Sequence, residues 1–503
     1  MSAELISQFS EKPDVAPPPS GRKNIVICCD GTGNYYSNPN PSGPKDKKNG
    51  LDSNVVKLYT TLEVNNQQVA YYHPGVGTMG APTATHWVTK QWTRIKGLAF
   101  GAGFRDNVLD AYRYLMEVYN DNGGGGNEDR VFIFGFSRGA YTARALAGLL
   151  HGYGLLCRGN EGHMPYAWRM YVNQHKDRNQ RSVKPNDTFR QTFSHENFKI
   201  HFMGVWDTVS SVGWVYSPLQ LFDVATNSSI VHARHAVSID EHRCFFMDNL
   251  FDDQTTETEV VQAWFAGVHS DVGGSYTQPE AGLAYESLKW MLAEAKANGL
   301  ITISEREALV MGVGAVSDPL NYEKPISWKL HRSLRGAWWI PEILPHKYYN
   351  KEFGKEFMRV PLGLRLRDIP DGALVHGSVW RRMTTTEPGT QQPYAPRNCP
   401  KVALDRELPI PGAKDGTEYR RFRPDPPPKR HPLLMWLDRY LVTWLFSIFD
   451  LFVFVPILLF AVAMVLGSVT MLLLKIAALG WRLAPCFWHR MVCCWIWTMR
   501  KLS

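Results

Sequence analysis

The sequence lacks several features that would place it in a common class of protein. Residues 1–22 form a polar, Pro-rich leader without an apolar run, so no secretory signal is expected and the main domain is predicted to stay in the cytosol. The eight cysteines lack zinc-ligand spacing, and the adjacent Cys28 and Cys29 favour reduced thiols over a disulfide framework. The glycines at 123–126 lack the P-loop pattern, and no nucleic-acid motif accompanies the net charge of +8. No metal, cofactor or nucleic-acid partner is therefore expected.

The most informative segment is Val131 to Leu150, which reads VFIFGFSRGAYTARALAGLL. An apolar run stops at a G-x-S-x-G turn centred on Ser137, and an Ala/Leu-rich segment follows. Gly135 and Gly139 leave room for the strained backbone of a serine between a strand and a helix. The positive end of that helix would point at the serine hydroxyl. This pattern predicts the nucleophile elbow of an α/β-hydrolase.

Short apolar runs alternate along the chain with segments of helical periodicity. Strands are predicted at 24–29, 69–72, 200–206 and 260–268, in addition to the one before Ser137, and helices at 54–62, 105–119 and 281–298. This alternation predicts an α/β fold, α/β-hydrolase-like, with a doubly wound, mostly parallel sheet. We assign residues 23–385 to this domain, with 210–258 and 300–385 as lid or subdomain segments and 79–103 as a further access loop.

Acyl transfer requires a nucleophile, a base and an acid that orients the base. In α/β-hydrolases they follow in the order Ser, Asp, His, each at a strand end, and Ser137, Asp207 and His269 fit that order. Asp207 could instead cap a helix, His269 could be held by backbone, and Asp271 is the main alternative acid. Other histidines compete for the role of base: His73, His232, His235 and His376.

The oxyanion of acyl transfer needs N–H donors near the nucleophile. The backbone of Arg138, directly after Ser137, is the expected first donor. Gly31 and Thr32, in the turn after the first strand, are candidates for the second. Asp30 would orient this loop or, as an alternative, bind a divalent cation together with Asp271, which otherwise shapes the site.

The last part of the chain has a different composition. A basic, Pro-rich linker is predicted at 386–432, followed by a membrane-anchoring segment at 433–503. Residues 451–474 contain no charge, and 24 helical residues would extend about 36 Å, enough for a bilayer core of about 30 Å. We therefore expect one transmembrane helix there rather than a buried core helix, although a membrane hairpin within 433–474 stays open.

Five motifs in this order carry a family resemblance: the strand followed by DGTGN, YYHPGVGT, GFSRGAYTAR, GVWDTV and WFAGVHSDVGG. They resemble the α/β-hydrolase domain of the type VI secretion phospholipase effectors of the first Tle class, across roughly residues 23–385. The resemblance implies Ser137 as nucleophile, Asp207 as acid and His269 as base, acting on phospholipid esters. His73 departs from the family pattern, in which an acidic residue is expected at that position.

Together these patterns predict a membrane-anchored serine hydrolase that cleaves carboxylic esters of membrane lipids, with phospholipase A as the expected subclass. Lysophospholipase, thioesterase and esterase activity are alternatives within the same chemistry. A membrane-tethered interaction protein with a non-catalytic hydrolase fold, or a membrane-disrupting protein, is the alternative from another class. The patterns do not specify the oligomeric state.

Overall fold

The computed structural model describes a set of separate ranges along the chain: 21–31, 53–75, 103–174, 185–195, 198–209, 213–214, 217–218, 227–251, 258–276, 280–311, 329–343, 346–350, 355–359, 362–363, 366–384, 393–400, 404 and 419–423. Thr32, the segment 79–102, the leader 1–20 and the predicted anchor 433–503 lie outside these ranges.

An eight-stranded sheet forms the centre of the main unit. Its strands are β1 (Asn24–Cys29), β2 (Gln68–His73), β3 (Arg130–Phe136), β4 (Ile200–Trp206), β7 (Ile230–Ser238), β8 (Glu259–Phe265), β11 (Leu374–His376) and β12 (Tyr419–Arg421), and the two-residue strands β5 (Gly213–Trp214) and β6 (Ser217–Pro218) pair separately. The order across the sheet is β12-β11-β8-β7-β4-β3-β1-β2. All pairs are parallel except β11 with β12. The carboxyl ends of the central strands therefore meet at one edge, where loops can assemble a site.

Helices cover both faces of the sheet. They are α1 (Asn54–Thr61), α2 (Phe104–Val118), α3 (Arg138–Tyr153), α4 (Met164–Gln174), α5 (Asp187–Phe193), α6 (His269–Gly273), α7 (Gly282–Ala297), α8 (Ser304–Val310), α9 (Trp339–Glu342) and α10 (Gly377–Thr384). Ile25 and Ile27 of β1 pack with α2 and α3, whereas Val26 and Cys28 pack with α1 and α7. Because both faces are covered, β1 is buried at all six positions, and every residue after Asn24 is apolar.

Most of the predicted elements are confirmed. The strand at 24–29 and the strand at 200–206 have the predicted bounds, and the helices at 54–62, 105–119 and 281–298 agree to within one residue at each end. Helix α1 begins where Ser53 accepts a hydrogen bond from the backbone of Val56 at 3.2 Å, as an N-cap does.

Three segments differ from the sequence-based assignment. Part of the predicted cap at 210–258 forms β7, which lies between β4 and β8 inside the sheet. Part of the predicted subdomain at 300–385 forms β11 and α10. The predicted linker at 386–432 contributes β12 and buried core residues such as Cys399 and Phe422, so the main unit does not end at residue 385. The polar side chains within IVHARHAVS break the apolar run and explain why β7 was missed.

A second unit includes residues 347–359. Strands β9 (His346–Asn350) and β10 (Lys355–Arg359) pair with each other there in a separate two-stranded sheet. Among the helices within the described ranges, none is both long and apolar enough to cross a membrane. The transmembrane helix predicted at 451–474 lies outside those ranges and stays a prediction.

Candidate active site

Ser137 occupies the sharp turn between β3 and α3. Its backbone has φ +58° and ψ −121°, a strained conformation for a residue with a side chain. The Ser137 amide donates to the carbonyl oxygen of Trp206, at the end of the neighbouring strand β4, at 3.1 Å. The turn is thereby tied to the sheet, as the strand-turn-helix pattern predicts.

The two flanking glycines are required by close backbone packing. A Cβ atom on Gly135 would lie 2.6 Å from the Cα atom of Ala140 in α3. A Cβ atom on Gly139 would lie 2.6 Å from the carbonyl carbon of Asp30 and closer still to the carbonyl oxygen of Cys29. The elbow therefore rests directly against the end of β1, and only glycine fits at these two positions without a backbone shift.

The structure brings together the three residues predicted as a catalytic triad. His269 Nε2 lies 2.8 Å from Ser137 Oγ, and His269 Nδ1 lies 2.5 Å from Asp207 Oδ2. The three residues follow β3, β4 and β8, and their exposed fractions are 8% for Ser137, 1% for Asp207 and 4% for His269. The imidazole thus bridges a hydroxyl and a carboxylate, the arrangement that lets it accept a proton from the hydroxyl.

The surroundings control whether Asp207 and His269 are charged. Burial alone would raise the pKa of Asp207, but Arg367 and His269 hold it below the ordinary value of an aspartate. Burial lowers the pKa of His269, and its hydrogen bond to Asp207 opposes that effect. The rings of Phe136 and Phe246 pack against the imidazole, each with a centroid distance of 4.7 Å. The site therefore holds an ionised carboxylate beside an imidazole that favours its neutral, proton-accepting form.

The residues considered as alternatives bond groups outside the Ser137–His269–Asp207 chain. Asp271 accepts the Val268 amide at 3.1 Å and bonds His331 Nδ1 at 2.6 Å, so its carboxylate shapes the turn before His269 rather than orienting the imidazole. Asp207 accepts the Ser238 amide instead of capping a helix. The competing histidines bond other groups: His73 bonds Pro74, His232 bonds Glu259, His235 bonds Thr208 and Gln262, and His376 bonds Ser378.

Arg138 and the end of β1 at Asp30, which precedes the proposed oxyanion loop, lie beside the elbow. Arg138 begins α3 directly after Ser137, and burial lowers the pKa of its guanidinium to about 10. The Gly31 amide donates to Asp30 Oδ1 at 2.6 Å, and Tyr72 donates its hydroxyl to Asp30 Oδ2 at 2.7 Å. Asp30 thus holds the Gly31 amide and the Tyr72 hydroxyl, so the Gly31 amide is engaged by that carboxylate. Thr32 lies outside the described residues.

The alternative metal site receives no support from the described side chains. Within the ranges that the structure covers, no group of three His, Cys, Asp or Glu residues is arranged to hold a metal ion. The carboxylates of Asp30 and Asp271 are occupied by protein donors instead.

Two residues of the site were missed by sequence reasoning. Glu241 is buried and accepts the backbone amide of His269 at 3.1 Å and the hydroxyl of Ser333 at 2.8 Å. Burial would raise its pKa, but the bonds and charge of Arg243 lower it to about 2, so the side chain is ionised. Arg367, the second residue, forms an ion pair with Asp207. Neither residue belongs to a motif of the sequence. Each reaches the site through contacts with residues far away in the chain.

Comparison with known proteins identifies the family. The sequence pattern of the type VI secretion phospholipase effector Tle1-like catalytic domain matches residues 23–294, more than half of the chain. The chain belongs to the Tle1-like phospholipase effector family. This confirms the resemblance inferred from the five motifs, and all three triad residues fall within the matched range.

Individual relatives are more distant. An uncharacterized protein of Saccharomyces cerevisiae is 34% identical over 245 residues, which cover 46% of this chain and 33% of that protein. A crystal structure of an uncharacterized Pseudomonas aeruginosa protein is 20% identical, with a TM-score of 0.34 and coverage of 59% of this chain and 49% of that one. A Tle1 effector solved bound to the VgrG spike of the type VI secretion system is 18% identical, with a TM-score of 0.26 and 52% coverage of each chain. The chain spans about half the length of these solved proteins and a third of the yeast protein.

Proposed function

We propose that the chain is a serine hydrolase that cleaves carboxylic ester bonds of lipids, and specifically a phospholipase A. Ser137 Oγ attacks the acyl carbonyl carbon while His269 takes its proton and Asp207 holds the imidazole. The ester C–O bond then breaks, and the lysophospholipid alcohol leaves with the proton from His269. Water, deprotonated by the same imidazole, hydrolyses the acyl-enzyme to a fatty acid and free Ser137.

One observation carries the ester-hydrolase part of this proposal. It is the continuous chain of hydrogen bonds from Ser137 Oγ through His269 to Asp207, at 2.8 and 2.5 Å, with the serine in a strained turn before a helix. The amino end of α3 carries a partial positive charge that favours a developing oxyanion. We assign the Arg138 amide as one oxyanion donor. The Gly31 amide already donates to Asp30, so Thr32, outside the described residues, stays the candidate for the second.

An apolar rim beside His269 supports a lipid as the substrate. Phe246 packs on the imidazole, and the ring of Trp338 lies 5.3 Å from that of Phe246. Large exposed apolar side chains also occur in the same or neighbouring chain segments: Met247, Trp338, Trp339, Ile343, Leu362 and Leu366. Exposed apolar surface commonly marks a binding site for an apolar partner, and acyl chains fit that description.

Membership of a phospholipase effector family supports the same substrate class. The predicted membrane segment at 451–474 would keep the site at a bilayer and raise the local concentration of substrate rather than the rate of the chemical step.

The test compares the detergent-purified full chain with its Ser137→Ala variant on mixed phospholipid vesicles whose two acyl chains carry different labels. The wild type is expected to release free fatty acid, and the variant to lose at least about 10³-fold in rate because the nucleophile is absent. Ser194→Ala is a matched control, since Ser194 is also buried but donates to the Tyr153 carbonyl oxygen at 2.7 Å, away from the triad.

Each part of the proposal has its own contradicting result. Equal fatty-acid release by the wild type and Ser137→Ala would exclude the nucleophile. Release of a phosphorylated head group without fatty acid would exclude a phospholipase A. Hydrolysis of short soluble esters without any turnover of phospholipid would support ester hydrolysis but exclude phospholipid as the substrate.

A further inference from the structure

Arg367 forms a two-point contact with the carboxylate of Asp207. Its Nη1 lies 2.5 Å from Asp207 Oδ1, and its Nη2 lies 2.9 Å from Asp207 Oδ2. Both partners are buried, with exposed fractions of 5% for Arg367 and 1% for Asp207. A parallel guanidinium-carboxylate fork fixes the plane of the carboxylate as well as its position.

The guanidinium is itself held on the protein side. Its Nη1 also donates to the Ser238 carbonyl oxygen at 3.1 Å, and its Nη2 to the Phe246 carbonyl oxygen at 2.9 Å. Asn398 bonds the backbone carbonyl oxygen of Arg367 at 3.1 Å. Arg367 therefore joins Asp207 to the end of β7 and to the loop that carries Phe246.

The later part of the chain also contacts the loop that carries His269 and the loop that follows β7. His331 bonds Asp271, and Ser333 bonds Glu241, at 2.6 and 2.8 Å. Glu342 accepts the Cys244 amide at 2.7 Å. All of these donors and acceptors from the later segment follow residue 294, where the match to the family's catalytic domain ends.

We propose that Arg367 is a positioning residue for the hydrolase reaction, which holds the Asp207 carboxylate in the orientation that His269 requires. This inference rests on the proposed function. Arg367 does not reach the reacting atoms; it acts through Asp207, whose Oδ2 must meet His269 Nδ1 for Nε2 to face Ser137. Without the fork, the carboxylate keeps the Ser238 amide and His269 as partners but can rotate between them.

The experiment measures kcat and KM on phospholipid with the full chain carrying Arg367→Lys or Arg367→Ala. Lysine keeps the positive charge but cannot form the planar fork. We expect kcat to fall about 10- to 100-fold in Arg367→Lys, because small misplacements of catalytic groups have effects of that size. KM should change by less than about threefold, since Arg367 is not assigned to substrate binding.

Chemical rescue separates positioning from general stability. Guanidinium ion at low millimolar concentration should bind in the space left by Arg367→Ala and raise kcat several-fold, whereas sodium at equal ionic strength should not. Arg234→Ala is the matched control, because Arg234 is equally buried and forms 2.6 Å ion pairs with Glu294 and Glu259 away from the triad. Its loss should lower the melting temperature while leaving kcat unchanged and unresponsive to guanidinium.

Wild-type kcat in Arg367→Lys would overturn the inference, even if Arg367→Ala fails to fold. A fall in melting temperature for Arg367→Ala that matches Arg234→Ala, without any response of kcat to guanidinium, would overturn it as well. If the wild type lacks phospholipase activity, the proposed substrate is wrong, and the same variants are compared by the rate at which a fluorophosphonate labels Ser137. Absence of labelling in the wild type would reject both the hydrolase function and the role of Arg367.

Discussion

Replacing Asp207 by asparagine is expected to disable the imidazole while leaving the shape of the site nearly unchanged. Asp207 Oδ1 accepts bonds from the Ser238 amide and Arg367, and Oδ2 accepts bonds from His269 and Arg367. Wherever the NH₂ group of the asparagine replaces an oxygen, at Oδ1 or at Oδ2, it faces two hydrogen-bond donors. Facing His269, it selects the tautomer with the proton on Nε2, which cannot accept the proton of Ser137. We expect kcat to fall about 10⁴-fold, as the same change does in serine proteases.

The same substitution should also destabilise the fold. Asparagine removes the carboxylate that bonds Arg367 at two points. The buried guanidinium then keeps only the weaker, more distant negative charges of Asp248 and Glu241. Breaking one side of a buried ion pair typically costs about 3–5 kcal/mol. Arg367→Met removes the orphaned charge, so the double variant should be more stable than the sum of the single changes predicts, by roughly 1–3 kcal/mol.

Urea unfolding followed by tryptophan fluorescence measures these free energies for the wild type, the two single variants and the double variant. Fatty-acid release measures kcat for the same four proteins. The expected pattern is recovery of stability without recovery of activity in the double variant. Strictly additive losses of stability, or an Asp207→Asn variant as active as the wild type, would refute the linked roles of Asp207 and Arg367.

Two further predictions concern the elbow and the base. Gly139→Ala should destabilise the fold by about 1–3 kcal/mol and reduce kcat, because the added methyl group meets the backbone of Asp30; unchanged unfolding and kinetics would contradict the close packing. Burial lowers the pKa of His269 below 6.5, and only the neutral imidazole can act as base. In a pH profile of kcat/KM, activity should therefore fall on acidification with a midpoint below pH 6.5, and a midpoint above that value would contradict the assignment.

The three residues proposed to carry the chemistry could be selected from the sequence because their signals are local. Ser137 and Asp207 directly follow β3 and β4, and His269 follows β8 after three residues. Parallel strands bring such positions to one edge of the sheet. Strand β7 was not predictable in the same way. It is buried between two other strands, yet Arg234 and His235 interrupt its apolar run, and their polarity is balanced by Glu294 and Gln262 from distant segments.

A residue that stabilises a buried charge need not lie in the sequence pattern that marks the charged residue. Asp207 lies at a position that the strand pattern marks, but Arg367 is 160 residues further along and lies in a segment without a motif. A buried carboxylate needs a counter-charge, and any segment that folds over it can supply one. The proposed triad can therefore be read from residues 23–294, whereas the ionised state and orientation of its proposed acid depend also on Arg367, which follows that range. The boundary of such a domain should thus be set by the partners of the proposed catalytic acid rather than by the last motif of the proposed site.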